Sequence, residues 1–328
     1  MSGGAVVTPL HMESTRVAFL EALTALMESD PKVVVVFADS VKVFRATEEF
    51  LHRFAGRVFD VGIAEQNAVA TSAGLAACRL TVFTCTYAGF LTMRACEQIR
   101  TFVAYPGLDV KFIGANAGIF GGEREGVTHQ FFEDLAIMRS IPGVTVVVPA
   151  DASEVRQAVP VLARTHGPAY LRIGSGRDPV VFDPPASFEL GKVRLLRDTG
   201  TEFVVLANGY LLMRALEAAD RLQSEGICGR VAEVHTLRPL DVEGLVQILR
   251  ESPLAVTVED HQVNGALGSA VAEVIAEHGV GRLVRLGLQD VFPESGDAFA
   301  LLDRYRMGIS DIVQAVHKLC GNSAKSQS

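Results

Sequence analysis

Three stretches of this 328-residue chain carry side chains able to do chemistry. In Asp60-Val-Gly-Ile-Ala-Glu-Gln-Asn67 a single carboxylate, Glu65, follows Gly62, Ile63 and Ala64 and precedes an alanine-rich segment. Taken alone, an acid there favours the positive end of a helix, and Ile63 is ordinary core. Further on, Phe83-Thr-Cys-Thr-Tyr-Ala-Gly-Phe90-Leu-Thr-Met-Arg-Ala-Cys-Glu-Gln98-Ile-Arg sets Tyr87 and Phe90 ahead of Glu97-Gln98-Ile99. Aromatic faces spaced in this way offer a stacking surface to a flat ring, although core packing is the plainer role. The third stretch, Gly114 to Gln130, is glycine-rich and ends Thr128-His129-Gln130. Such a loop lets backbone approach a ligand, and a histidine at its end can move protons at about neutral pH.

Several other chemistries lack support. Neither G-x-x-x-x-G-K-[ST] nor G-x-G-x-x-G opens a helix after a strand, and H-E-x-x-H and G-x-S-x-G do not occur. The five cysteines, Cys78, Cys85, Cys96, Cys228 and Cys320, form no C-x-x-C pair and read as buried thiols, not as zinc ligands or disulfides. Thirty basic against thirty-eight acidic side chains leave a net charge of −8 with no Lys/Arg run, which argues against nucleic acid or an anionic membrane as partner.

The elements that must position these groups follow from periodicity. Short β-branched runs alternate with segments of helical period, the pattern of an α/β protein with mostly parallel sheets covered by helices on both faces. The spacing predicts strands over 33–38, 57–60, 81–86 and 109–114, and helices over 65–77, 91–103 and 311–319. Residues 174–200, with three prolines and no helical period, read as a crossing between domains. The expected division is a first domain over 10–185, a linker over 186–198 and a smaller α/β domain over 199–321, ahead of a frayed polar tail. No apolar run approaches the roughly 18 residues of a membrane helix. The start, Met1-Ser-Gly-Gly, lacks the features of a secretory signal, so a cytoplasmic protein is expected.

Together the three stretches resemble the transketolase family. GIAEQN is similar to the pyrimidine-domain signature of thiamine-diphosphate enzymes of the transketolase and 1-deoxyxylulose-5-phosphate synthase group. The E-Q-N, E-Q-I and T-H-Q triplets follow in family order, and the resemblance spans about residues 10 to 320. It implies that Glu65 binds N1′ of the thiamine diphosphate aminopyrimidine, favouring the tautomer whose N4′ takes the C2 proton. It makes Ile63 the wedge that bends the cofactor, Tyr87 and Phe90 its stacking surface, and Asp39 a further cofactor-binding residue. Tyr87 replaces a usual Phe, and Met93 stands where a third aromatic is often found. His129 matches the active-site histidine at the substrate's reacting carbonyl or hydroxyl. Glu125 replaces a substrate-sensing Asp, with Arg124 as a rival in a loop one residue longer than usual.

The substrate end departs from the family. Asn116 stands where sugar-phosphate enzymes carry His, Val43 replaces a Ser, the early Arg falls near His11-Met12, and Arg177 serves for a later Arg. Fewer cationic donors weaken a phosphate subsite, so the expected substrate is not a standard sugar phosphate. The second domain resembles the transketolase C-terminal domain through Thr236-Leu-Arg-Pro-Leu-Asp241 and Glu259-Asp-His-Gln-Val-Asn-Gly-Ala-Leu-Gly-Ser-Ala270. These landmarks read as helix entry and turn chemistry, with Asp260 and His261 as candidates to face a partner.

The family holds Mg²⁺ and the diphosphate through a G-D-G and a downstream Asn, and G-D-G occurs nowhere here. One pyrimidine domain cannot supply six oxygen ligands, so no metal ligand is assigned and the Mg²⁺ ligands are expected on another subunit. The resemblance therefore implies the C-terminal half of a split transketolase. It would transfer a two-carbon ketol unit from a ketose to an aldehyde beside an N-terminal diphosphate-binding subunit, in an α2β2 heterotetramer. Alternatives are a two-subunit 1-deoxyxylulose-5-phosphate-synthase-like acyloin former, the β subunit of a 2-oxo acid dehydrogenase, and a non-catalytic interaction subunit.

Overall fold

Val33–Phe37 is a run of five buried β-branched or aromatic residues, which only a strand covered on both faces can bury. Successive side chains go to opposite faces: Val33, Val35 and Phe37 pack with Phe19, Phe44 and Phe83, while Val34 and Val36 pack with Val69, Leu91 and Ile99. The structure is a computed structural model describing residues 11–122, 125–183 and 185–325. Arg124, the residues read for a signal and the last three of the tail lie outside them.

Val33–Phe37 belongs to a seven-stranded sheet in the order Thr236–Arg238, Thr145–Val147, Ala169–Arg172, Val110–Ala115, Thr81–Tyr87, Val33–Phe37, Val58–Asp60. All its pairings are parallel except that of Thr236–Arg238. A second sheet runs Arg282–Leu288, Leu254–Gln262, Val204–Ala207, Arg230–Glu233, Arg194–Asp198, antiparallel only at the last pairing. The chain is thus an α/β protein with two mostly parallel sheets, as its periodicity leads one to expect. The two halves interlock, because Thr236–Arg238 from beyond the second sheet's first strands returns to edge the first sheet.

Three features differ from the sequence reading. Arg194–Asp198, inside the segment read as linker, is a strand; it is a half-exposed edge and lacks the apolar run that marks its neighbours. The single helix expected over 91–103 is broken into wide π turns, Phe90–Arg94 and Ile99–Ala104, around Cys96–Gln98. The last helix, Ile309–Lys325, runs on through much of the tail expected to fray. Of the cysteines only Cys85 is buried, and Cys78 is exposed. Among the described residues no helix is long and apolar enough to cross a membrane.

Helix Glu65–Ala77 buries Ala68, Ala73 and Ala76, and these small side chains let it lie close to the sheet. Ser72 donates to the Ala68 carbonyl and accepts from the Thr84 hydroxyl, which pins the helix to Thr81–Tyr87.

Candidate active site

The site gathers at the carboxyl ends of the first sheet's strands, where open α/β sheets bind ligands. Asp60 ends its strand, and its carboxylate accepts from the backbone N–H of Asp39 at 2.9 Å and of Gly62 at 3.0 Å. This ties two neighbouring loops together. Gly62 has φ +73°, so the chain turns sharply there and enters Glu65–Ala77 with Glu65 as its first residue. Ala64 offers no side-chain cap, which leaves the helix end to the Glu65 carboxylate, itself only 5 % exposed.

Arg94 reaches Glu65 from the rim, its Nη1 donating to Oε1 at 3.0 Å, and half of its side chain stays exposed. The same guanidinium lies over Phe90, its carbon 3.8 Å from the ring centroid. Phe90 meets Tyr87 edge-on at 5.5 Å between centroids, and His129 meets the two rings at 5.3 Å and 5.4 Å respectively. Nδ1 of His129 is engaged with the Thr128 hydroxyl at 2.9 Å, which leaves Nε2 without a partner among the described residues. Glu65, Tyr87, Phe90 and His129 therefore form one connected group with Arg94 as the link, a residue the sequence reading passed over.

The glycine-rich loop is built differently from the expectation. Its glycines serve packing within the protein. A Cβ at Gly118 would lie 2.0 Å from Asp260 Oδ2, one at Gly121 2.2 Å from the Asn116 backbone, and one at Gly122 2.1 Å from the His129 carbonyl. Asp260 accepts from the N–H groups of Ile119 at 2.9 Å and Phe120 at 3.2 Å, and from the Tyr210 hydroxyl. Burial raises its pKa, with Arg172 working against that. Asp260 and His261 thus face inward, buried to 3 % and 0 % exposure, and neither presents itself to a partner. Gln130 Nε2 donates to the Glu294 carbonyl at 3.1 Å, so the Pro293-Glu-Ser-Gly296 segment supports the loop end beside His129.

Beneath the loop, Arg172 donates to Asp134 at 2.9 and 3.0 Å and to the carbonyls of Phe131 and Asp260. Burial opposes the Arg172 charge, but the Asp134 carboxylate holds its pKa above the ordinary value. Tyr170 adds a hydrogen bond to Asp134 at 2.6 Å.

Of the remaining candidates, Asn116 is buried at φ 55° with its Oδ1 unpartnered, and Asp39 and Glu125 are exposed. Arg177 is exposed and lines a hollow with Met12, Ser175, Asp297 and Phe299. A further cation is Arg16, which is 8 % exposed and bound to the carbonyls of Gly174 at 3.3 Å and Val43 at 3.4 Å. Burial lowers its pKa, while Asp178, Tyr87 and Glu125 pull it upward. It sits on the first turn of Thr15–Ser29, where a lone arginine reads as a surface cation; the sequence reading placed the early Arg near His11-Met12 instead.

The rim of the site is apolar. Ile63 is 74 % exposed and Phe292 75 %, and Met93, Val127 and Phe292 line a cleft with Phe90, Arg94 and Phe131. Fold and site together define an α/β protein with an apolar cleft beside the Glu65–Arg94 pair.

The transketolase pyrimidine-binding domain matches residues 11–176, and the transketolase C-terminal domain matches residues 191–312. The chain belongs to the transketolase family, of which it carries these two domains. A 6-deoxy-6-sulfo-D-fructose transketolase subunit of a Clostridium species is 36 % identical over 304 residues, covering 93 % of this chain and 94 % of that one. One of the subunits of an apulose-4-phosphate transketolase from Phocaeicola vulgatus is 32 % identical over 296 residues, covering 90 % and 94 %. A solved split-gene transketolase, an inactive beta4 tetramer, superposes with a TM-score of 0.86 at 40 % identity, covering 94 % of this chain and 99 % of that one.

Proposed function

We propose that this chain is the C-terminal subunit of a split transketolase, which transfers a two-carbon ketol unit from a ketose to an aldehyde only when joined to a diphosphate-binding subunit. An α2β2 heterotetramer is the expected assembly. The observation that carries the reading is a buried carboxylate, Glu65, paired with an Arg94 that lines a cleft with the exposed Met93, Val127 and Phe292, while Ile63, two residues before Glu65, is itself exposed. Apolar side chains so exposed around a pocket mark a surface that another subunit covers.

The donor set fits the aminopyrimidine of thiamine diphosphate. It has one carboxylate for a ring nitrogen, the Tyr87–Phe90 pair as an aromatic surface, and an aliphatic wedge two residues before the carboxylate. No group of three or more His, Cys, Asp or Glu side chains is placed to hold a metal ion among the described residues, so Mg²⁺ and the diphosphate are assigned to the partner. When bound, thiamine diphosphate would supply a nucleophilic carbon for ketol transfer. This chain's residues do the rest. Glu65 would hold the ring through a hydrogen bond to N1′, Ile63 would support the cofactor from beside that carboxylate, and Tyr87 and Phe90 would keep its ring in register and exclude water. His129, fixed through Nδ1, exchanges a proton with the substrate hydroxyl through Nε2. Asn116, Glu125 and Arg16 contact the substrate, and Asp39 positions the cofactor loop. With Asn116 and Val43 in place of His and Ser, the substrate is a ketose other than the standard sugar phosphates.

Tagged chain drawn from its host's lysate should retain, in equal stoichiometry, a protein carrying G-D-G and a downstream Asn. The purified pair should then convert a ketose and an aldehyde without releasing CO₂. Pyruvate consumption with CO₂ release would make the pair an acyloin former, and recovery of the chain alone would favour a non-catalytic role.

A further inference from the structure

The proposed reading leaves Arg94 without a task, yet Arg94 makes the two contacts that the cofactor ring needs. Its Nη1 donates to Glu65 Oε1 at 3.0 Å, and its guanidinium carbon stands 3.8 Å from the centre of the Phe90 ring. A guanidinium is a flat cation that presents N–H groups in its plane and stacks by its face. A protonated aminopyrimidine is also a flat cation, with an N–H for a carboxylate and a face for an aromatic ring. Glu65 Oε1 and the covered face of Phe90 cannot serve both at once.

Arg94 is also built to leave. Its side chain is 49 % exposed while that of Glu65 is 6 % exposed, so it reaches inward from the solvent edge. The wide turn Phe90–Arg94 places the arginine beside its own stacking partner, and a rotation about its side-chain bonds frees the pocket without unwinding the helix. A subunit made separately from its cofactor-anchoring partner would otherwise carry a buried, unpaired carboxylate, which is costly.

We propose that Arg94 is a built-in stand-in for the aminopyrimidine: it closes the pocket of the cofactor-free chain and swings out when thiamine diphosphate binds. The inference rests on the reading of this pocket as the pyrimidine site. A pocket closed in most molecules lowers apparent affinity by the fraction that is open, about tenfold where about 10 % is open.

The test is calorimetric titration of thiamine diphosphate with Mg²⁺ into the cofactor-free complex of this chain with its partner subunit, together with the Tm of the chain alone. Arg94→Ala should tighten cofactor binding by about tenfold and lower the Tm of the free chain by about 2 °C. Arg94→Lys keeps the charge but not the flat fork, so it should fall between wild type and Arg94→Ala, and it serves if the alanine variant folds poorly. Equal or weaker cofactor binding by both variants, with wild type binding normally, would overturn the proposal and make Arg94 a holder of Glu65 in the loaded site. A wild-type complex that takes up no thiamine diphosphate would overturn the pyrimidine-site reading itself, and the stand-in with it.

Discussion

Glu65 occupies a helix end with no side-chain cap, and this gives one carboxylate two tasks. Its charge in the first turn favours the N-terminus of Glu65–Ala77, and it is the only acid in direct contact with the Arg94–Phe90 stack among the described residues. Glu65→Gln separates the tasks, because glutamine keeps the size and an accepting oxygen but cannot hold a proton as a carboxyl does. In the assembled enzyme it should lower kcat by about 10²-fold or more while the chain still captures its partner. Ketol-transfer kinetics within about threefold of wild type would move the proton to another group. This residue could be found from sequence because it lies in one short contiguous motif, as do Tyr87, Phe90 and His129. Arg94 and Arg16 could not. Their partners lie 29 and 158 residues away, and on a helix each looks like any solvated cation. The loop that Asp260 caps was hidden for the same reason, since it lies 141 residues earlier.

At the scale of elements, what was legible was burial on both faces. Strands such as Val33–Phe37 announce themselves by unbroken apolar runs, whereas the half-exposed edge Arg194–Asp198 and the three-residue Thr236–Arg238 do not. The glycines of the loop were visible, but their reason, the close approach of Asp260 and of the loop's own backbone, belongs to tertiary structure. The strand end that supplies Asp260 also carries His261. Its Nε2 accepts from the Ala136 N–H at 3.3 Å, and Nδ1 donates to the Gln262 carbonyl at 2.7 Å. Burial drives its pKa from 6.5 down to about 4, against the pull of Asp134 and with the push of Arg172. Between those values the unfolded chain binds the proton and the folded chain does not. The contribution to stability is therefore full above 6.5 and is lost as the pH falls toward 4, by up to about 1.4 kcal/mol per pH unit. Urea unfolding of wild type and His261→Gln at several pH values isolates this slope from other groups. The advantage of wild type over the variant should shrink as the pH falls below 6.5. A constant difference would mean that the ring is protonated in the fold.

The whole molecule is held as one piece by two buried ionic clusters that join the sheets. In one, Arg172 from the first sheet binds Asp134 and the Asp260 carbonyl of the second. In the other, Arg194 lies between Glu154, at 2.6 Å, and Glu233, and burial pushes both carboxyls above the usual range, Glu233 further because Glu154 faces it. Removing one member strands its partner in the interior, and this is where large costs arise. Arg172→Met should lower the unfolding free energy by about 3–5 kcal/mol, and Arg172→Met with Asp134→Leu should recover much of it, because no lone charge then remains. A loss under about 1 kcal/mol for the single variant would show that Tyr170 alone satisfies Asp134. Such a joined scaffold keeps its loops fixed and leaves the apolar rim as the surface still to be covered. Phe292, from the second domain, is 75 % exposed and touches the first through Phe132, 6.0 Å between ring centroids. A charge there meets water in the free chain but an apolar surface in a complex. Phe292→Asp should therefore leave the Tm of the isolated chain within about 1 °C of wild type while partner capture is lost. Normal capture by this variant would place the subunit contact on another face.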